Sequence, residues 1–186
     1  MPAGIDVGHG AEPVVVRRLT SPKDLALAAA RDAGAQVLEG RYTVRKYWGE
    51  VADGDLYEVV ETAPNLFLTA GLTEVLKLAA GQAATAFNGT NTRLCVGDGT
   101  TAASAGQTDL TGTNKTRQVV DSTPVVTNNQ IAFVATFGTG LANYAWQEVG
   151  VANASSGGAM WSRTVQALGT KTSAASWVLN WTLAIS

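Results

Sequence analysis

Hydrophobic and polar positions follow two different periods along this chain. Leu68, Leu72, Val75, Leu76 and Ala79 fall at i, i+4, i+7, i+8 and i+11, which predicts one apolar helix face that stops at Gly81. An earlier helix is predicted from Ser21-Pro22-Lys23-Asp24, with Ser21 as cap and Pro22 at the first helical position. Leu25, Leu27 and the alanines at 28–30 continue it, and Gly34 or Gly40 ends it.

Elsewhere the period is two. Arg41 to Trp48 alternates β-formers with charges, as does Leu56 to Glu61, and Asp53-Gly54-Asp55 between them supplies turn residues, so this pair reads as a β-hairpin. Ile131, Phe133, Ala135 and Phe137 share one face of a strand, and Trp177, Leu179, Trp181, Leu183 and Ile185 share one face of another. Arg93 to Val96 is a short strand ending at Gly97-Asp98-Gly99, and further strands are predicted at 117–121, 144–152 and 160–167. Short strands with Gly, Asn and Ser turns and little helix predict a mainly β fold, an antiparallel β-sandwich or jelly-roll-like domain. Met1 to Leu19 shows no helical period and reads as an extended arm with one short strand. The predicted organisation is arm and short helix over 1–40, hairpin over 41–62, and helix plus β-sandwich over 63–186. No internal repeat is present.

Composition sharpens this picture. The chain has 186 residues, 46% of them hydrophobic, which supplies a core and excludes wholesale disorder. Its 13 basic and 15 acidic side chains give no electrostatic reason to expect nucleic acid as a partner. Residues 1–62 hold 17 of those 28 charges; the remainder is rich in Thr, Ala, Gly, Asn and Ser. A domain so poor in charge covers itself either with hydroxyls and amides or with another protein, since charge is depleted at buried contacts. No apolar run approaches the roughly 20 residues of a membrane helix, and the first 20 residues lack the basic-then-apolar order of a signal peptide.

Candidate chemistry is sparse. The single cysteine, Cys95, excludes an intrachain disulfide and a cysteine-built zinc site, and reads as a packed thiol within a strand. The single histidine, His9, lies in the arm, which argues against a Ser-His-Asp triad. Gly97-Asp98-Gly99-Thr100-Thr101-Ala102 formally matches a dinucleotide fingerprint, but no helix or βαβ alternation follows, so a glycine-rich turn is expected and no cofactor. Asp98, Asp109, Asp121 and Glu148 are too scattered for a calcium loop and read as solvated or turn-capping carboxylates. No metal and no catalytic residues are expected. Of the tryptophans, Trp177 and Trp181 share the parity of Leu179 and Leu183 and belong to the core, whereas Trp161 is the candidate for a sugar-stacking platform. Asn88-Gly89-Thr90, Asn114-Lys115-Thr116 and two further sequons match N-glycosylation, with no secretory signal to support their use.

Four blocks in order carry a family resemblance: Asn65 to Leu72; Val96-Gly97-Asp98-Gly99-Thr100-Thr101; Phe133 to Gly138; and Asn143 to Val151 with its Glu148-Val149-Gly150 core. The segment from Arg163 to Lys171 extends them. The stretch they mark, Asn65 to Ser186, covers about two-thirds of the chain and resembles structural proteins of tailed-bacteriophage virions; the Glu148 block is also similar to the start of tail-collar fibre proteins. The resemblance implies a non-enzymatic virion protein. The leading expectation is a cement protein that decorates the capsid by bridging major capsid subunits, and tail, neck or collar fibre is the alternative address. A carbohydrate-binding module is a distant third. The implied partners are the major capsid protein and copies of this chain in a dimer or trimer, with no nucleic acid and no membrane. The expected contacts lie in the arm, at Pro13, Val14, Val15, Val16, Arg17, Arg18 and Leu19, where an extended segment can add a strand to a neighbouring subunit.

Overall fold

Alternating strands build most of the molecule. The computed structural model describes residues 15–18 and 22–186. In chain order the elements are β1 (Val15–Arg18), α1 (Pro22–Asp32), β2 (Leu38–Trp48), β3 (Asp55–Glu61), β4 (Leu66–Phe67), α2 (Thr69–Ala79), β5 (Arg93–Gly97), β6 (Lys115–Val119), β7 (Val126–Thr127), β8 (Gln130–Phe137), β9 (Ala145–Ala152), β10 (Met160–Thr170) and β11 (Ala175–Ile185). They form a six-stranded sheet in the order β1-β3-β2-β11-β8-β7 and a five-stranded sheet in the order β4-β10-β9-β5-β6. The sheets are antiparallel apart from the edge pair β1–β3, which is parallel. The fold is the predicted mainly β sandwich with two short helices.

Parity decides which side chains meet between the sheets. Trp177, Leu179, Trp181 and Leu183 of β11 lie inward with Phe133, Ala135 and Phe137 of β8 and Tyr42 and Val44 of β2. Leu94, Val96, Trp146, Val149, Val151 and Trp161 face them from the other sheet. Two tryptophan pairs cross the interface edge to face: Trp146 on Trp177, with centroids 4.8 Å apart, and Trp161 on Trp181, at 5.0 Å. Such pairs add about 0.5–1.5 kcal/mol beyond the area they bury.

The hairpin is a pair of central strands and not a separate unit. β2 pairs with β11 along its whole length, from Leu38 against Ile185 to Trp48 against Ala175. Residue 62 follows the end of β3, and both strands of the hairpin belong to the six-stranded sheet. The cause is visible in β2 itself, whose alternation points Tyr42 and Val44 at an apolar face that only the second sheet supplies.

The helices differ from expectation in what they bury. α2 sets Gly71 against β10 so closely that a Cβ there would lie 2.1 Å from the Trp161 Cα. Leu72 and Val75 are half-buried, but Leu76, expected on the apolar face, is 69% exposed. Only the first turns of the helix are held against the sheet. α1 has no buried residue at all and is fixed by charge: Arg41 of β2 reaches Asp24, and Arg31 reaches Glu39 and the Ser186 hydroxyl. Ser21, its expected cap, lies outside the described residues.

Candidate functional site

Of the seven arm residues expected to contact a partner, Pro13, Val14 and Leu19 lie outside the described residues. Val15 to Arg18 form β1, and its register places Val15 beside Glu58 and Arg18 beside Glu61 of the same chain. This segment thus extends its own sheet. Its outer side is then a terminal edge of the six-stranded sheet, and backbone groups at such an edge are open to a further strand.

The glycine-rich turn after β5 does cradle an anion, and that anion is the chain's own Glu148. Glu148 Oε1 accepts the backbone N–H groups of Gly99 at 3.2 Å, Thr111 at 3.0 Å and Gly112 at 2.7 Å. Arg163 of β10 completes the site. Its Nε donates to Glu148 Oε2 at 2.7 Å, Nη1 to Gln107 Oε1, and Nη2 to the Thr101 carbonyl and the Thr111 hydroxyl. Both side chains are fully buried. Glycine is required at 99 by this close approach, because a Cβ would stand 2.4 Å from Glu148 Oε1. The loop geometry that suggested a phosphate site is therefore filled from within. Glu148, read as a solvated or turn-capping carboxylate, does cap loop N–H groups, but from the centre of a buried polar network.

The other carboxylates hold turns and edges. Asp98 accepts from the Asn114 backbone and amide, and these bonds hold its carboxyl below the usual range. Asp121 ties to the Thr136 backbone and hydroxyl of β8. Asp109 bridges Lys115 and Arg117, each at 2.8 Å. Burial opposes ionisation of Asp109, but the bonds from those two cations outweigh it and its carboxyl is held low. Cys95 is wholly buried, and desolvation pushes its thiol up to about 12, far from reactive thiolate chemistry. Among the described residues no group of three His, Cys, Asp or Glu side chains is gathered to hold a metal ion.

Trp161 is packed between Phe87 and Trp181, so it offers no sugar platform. The exposed indole is Trp48, at the far end of β2, stacked on Tyr57 with centroids 4.3 Å apart. Two buried lysines also went unnoticed in the sequence. Lys46 lies 4.3 Å over the Trp177 ring and meets Glu58 at 2.7 Å. Lys171 donates to the Gly138 carbonyl and Asn143 Oδ1, and burial pulls its ammonium below the ordinary lysine range. No local signal marks either: Lys46 follows Arg45 in a strand that also carries Arg41, and Lys171 lies between Thr170 and Thr172.

Compared with known proteins, the chain matches no family model, no curated protein and no solved structure. The arrangement of its residues must carry the functional reading. Buried charge, close-approach glycines and cross-sheet tryptophans all serve rigidity. What remains for function is surface: the edge beside β1 and the exposed apolar positions.

Proposed function

We propose that this protein is a non-enzymatic structural component of a tailed-bacteriophage virion, a cement protein that stabilises the shell by bridging neighbouring major capsid subunits. The observation that carries the reading is the meeting of two of the resemblance blocks. Blocks 96–101 and 143–151 meet Arg163 at the Glu148–Arg163 network. Block 65–72 packs on β10 at the Gly71–Trp161 contact, and block 133–138 lies mainly in β8 of the facing sheet.

The physical character of the domain supports the same reading. A rigid, charge-poor sandwich is suited to repeated packing, and an N-terminal segment laid along a sheet edge can reach a neighbour. Binding only to the assembled shell would stabilise that shell by mass action. Copy number in purified virions, measured by quantitative mass spectrometry against the major shell protein, tests the assignment. A ratio of one per shell subunit, or a simple fraction of it, is expected. A handful of copies per particle would move the protein to neck, tail or collar fibre, and absence from the virion would overturn the reading.

A further inference from the structure

One end of the six-stranded sheet leaves its inner face uncovered. Gly40, Leu183, Ile131 and Val126 form one row across β2, β11, β8 and β7, and Leu183 belongs to the core. Burial falls off along this row toward the β7 edge: Gly40 and Leu183 are buried, Ile131 is half-buried and Val126 is 69% exposed. Two residues further on, Leu38 and Ile185 stand opposite each other, 39% and 47% exposed. Next to them is a cavity of about 210 Å³ walled by Ala26, Leu27, Leu38, Pro64 and Phe67, with Lys23, Asn65 and Glu39 as polar members, Glu39 being paired with Arg31 and Arg41.

Lys23 gives the rim of this cavity a chemical demand, since it reaches only the Asn65 carbonyl, at 3.5 Å, among the described residues. The Asn65 side chain is seated over Gly40, only 6% exposed, and its Oδ1 accepts the Trp181 indole N–H at 3.4 Å. The complementary ligand has apolar side chains and a carboxylate. An extended peptide supplies both.

We propose that this apolar end receives the N-terminal segment, residues 1–14, of a second copy of the chain, joining copies head to tail. Ile5-Asp6-Val7 has the required pattern: Ile5 and Val7 share one side of an extended backbone, and Asp6 lies between them for Lys23. The direction of β1 sets the geometry. It runs from the level of Glu58, opposite Lys46, toward Glu61, opposite Thr43, so Val15, where β1 begins, lies on the side far from the apolar end. Lys46 and Leu38 are eight residues apart on β2, about 26 Å at the strand rise, whereas 14 extended residues span up to about 46 Å. Donor segment and acceptor end are different surfaces, so the contact is heterologous and propagates into rings or rows. The inference goes beyond the virion assignment and does not depend on it, since isolated protein suffices to test it.

Sedimentation equilibrium of the full chain over a wide concentration range is the experiment. The mean mass is expected to rise above the monomer with concentration. Ile5→Asp/Val7→Asp, which spoils the donor, and Leu38→Asp, which spoils the acceptor, are each expected to stay monomeric. An equimolar mixture of the two retains one good interface and is expected to stop at dimers. Lys23→Glu should weaken assembly and regain it when combined with Asp6→Lys, a rescue that does not rely on Leu38→Asp folding. A full chain that stays monomeric throughout, whether because each arm covers its own end or because another protein does, overturns the proposal. So does assembly that survives both the donor and the acceptor variants.

Discussion

At the scale of single residues, the largest energies sit where charge is buried. Glu148 and Arg163 hydrogen-bond directly to each other and to three loop segments. Removing one partner from such a pair typically costs about 3–5 kcal/mol, because the remaining charge is left without compensation. Glu148→Gln is therefore expected to lower the unfolding free energy measured by urea denaturation by that amount. Adding Arg163→Met should recover part of the loss, and a cycle with additive effects would show that the two do not act as a unit. Gly71 offers a second test. An alanine in an exposed helix gains about 1 kcal/mol over glycine, but here its Cβ meets backbone of β10. Gly71→Ala should instead destabilise by about 1–3 kcal/mol, as overpacking does, and thermal melting with tryptophan fluorescence reads the sign. Each charged residue of the pair stands alone in an otherwise uncharged strand, so the anomaly was legible; the partner was not.

At the scale of elements, α1 is the piece held by the weakest forces. It buries no residue and depends on the Asp24–Arg41 and Arg31–Glu39 pairs. Burial pushes the Glu39 carboxyl up, but the guanidinium groups of Arg31 and Arg41 outweigh it and hold the carboxyl below its ordinary value of 4.5. A depressed carboxylate contributes its stabilisation fully above that ordinary value and loses it as pH falls through the lower, folded-state value. Amide exchange of residues 22–32 is thus expected to accelerate, relative to β11, as pH drops below 4.5. Molar salt, which shortens the screening length to about 3 Å, should weaken the same exposed pairs at neutral pH. Unchanged protection of α1 under both conditions would mean that apolar contact holds it. The helix itself was legible from its proline and alanines, whereas its mode of attachment depended on charges that fold places beside it.

At the scale of the whole molecule, β11 joins what the sequence divided. It pairs with β2 of the hairpin on one side and with β8 on the other, and two of its tryptophans contact the second sheet. Residues 38–186 should accordingly unfold as one cooperative unit. Tryptophan fluorescence and far-ultraviolet circular dichroism are expected to give coincident denaturation curves, as a two-state domain requires. A separate early transition of the β2–β3 hairpin would contradict this. The edge occupied by β1 and the apolar end of the sheet are the surfaces left to a virion role, and they lie on one continuous sheet.

Local periodicity by itself determined the longer strands, the presence of both helices and the inward parity of Trp177, Leu179, Trp181 and Leu183. A side chain's face within an element follows from its spacing to its near neighbours, and that spacing is written in the chain. Tertiary structure alone decided that the hairpin belongs to the main sheet, that Trp161 is core, and that the glycine turn at 97–99 closes over Glu148. Those outcomes depend on which distant segments meet. Register, charge pairing and close backbone approach select among many compatible meetings, and periodicity does not distinguish them.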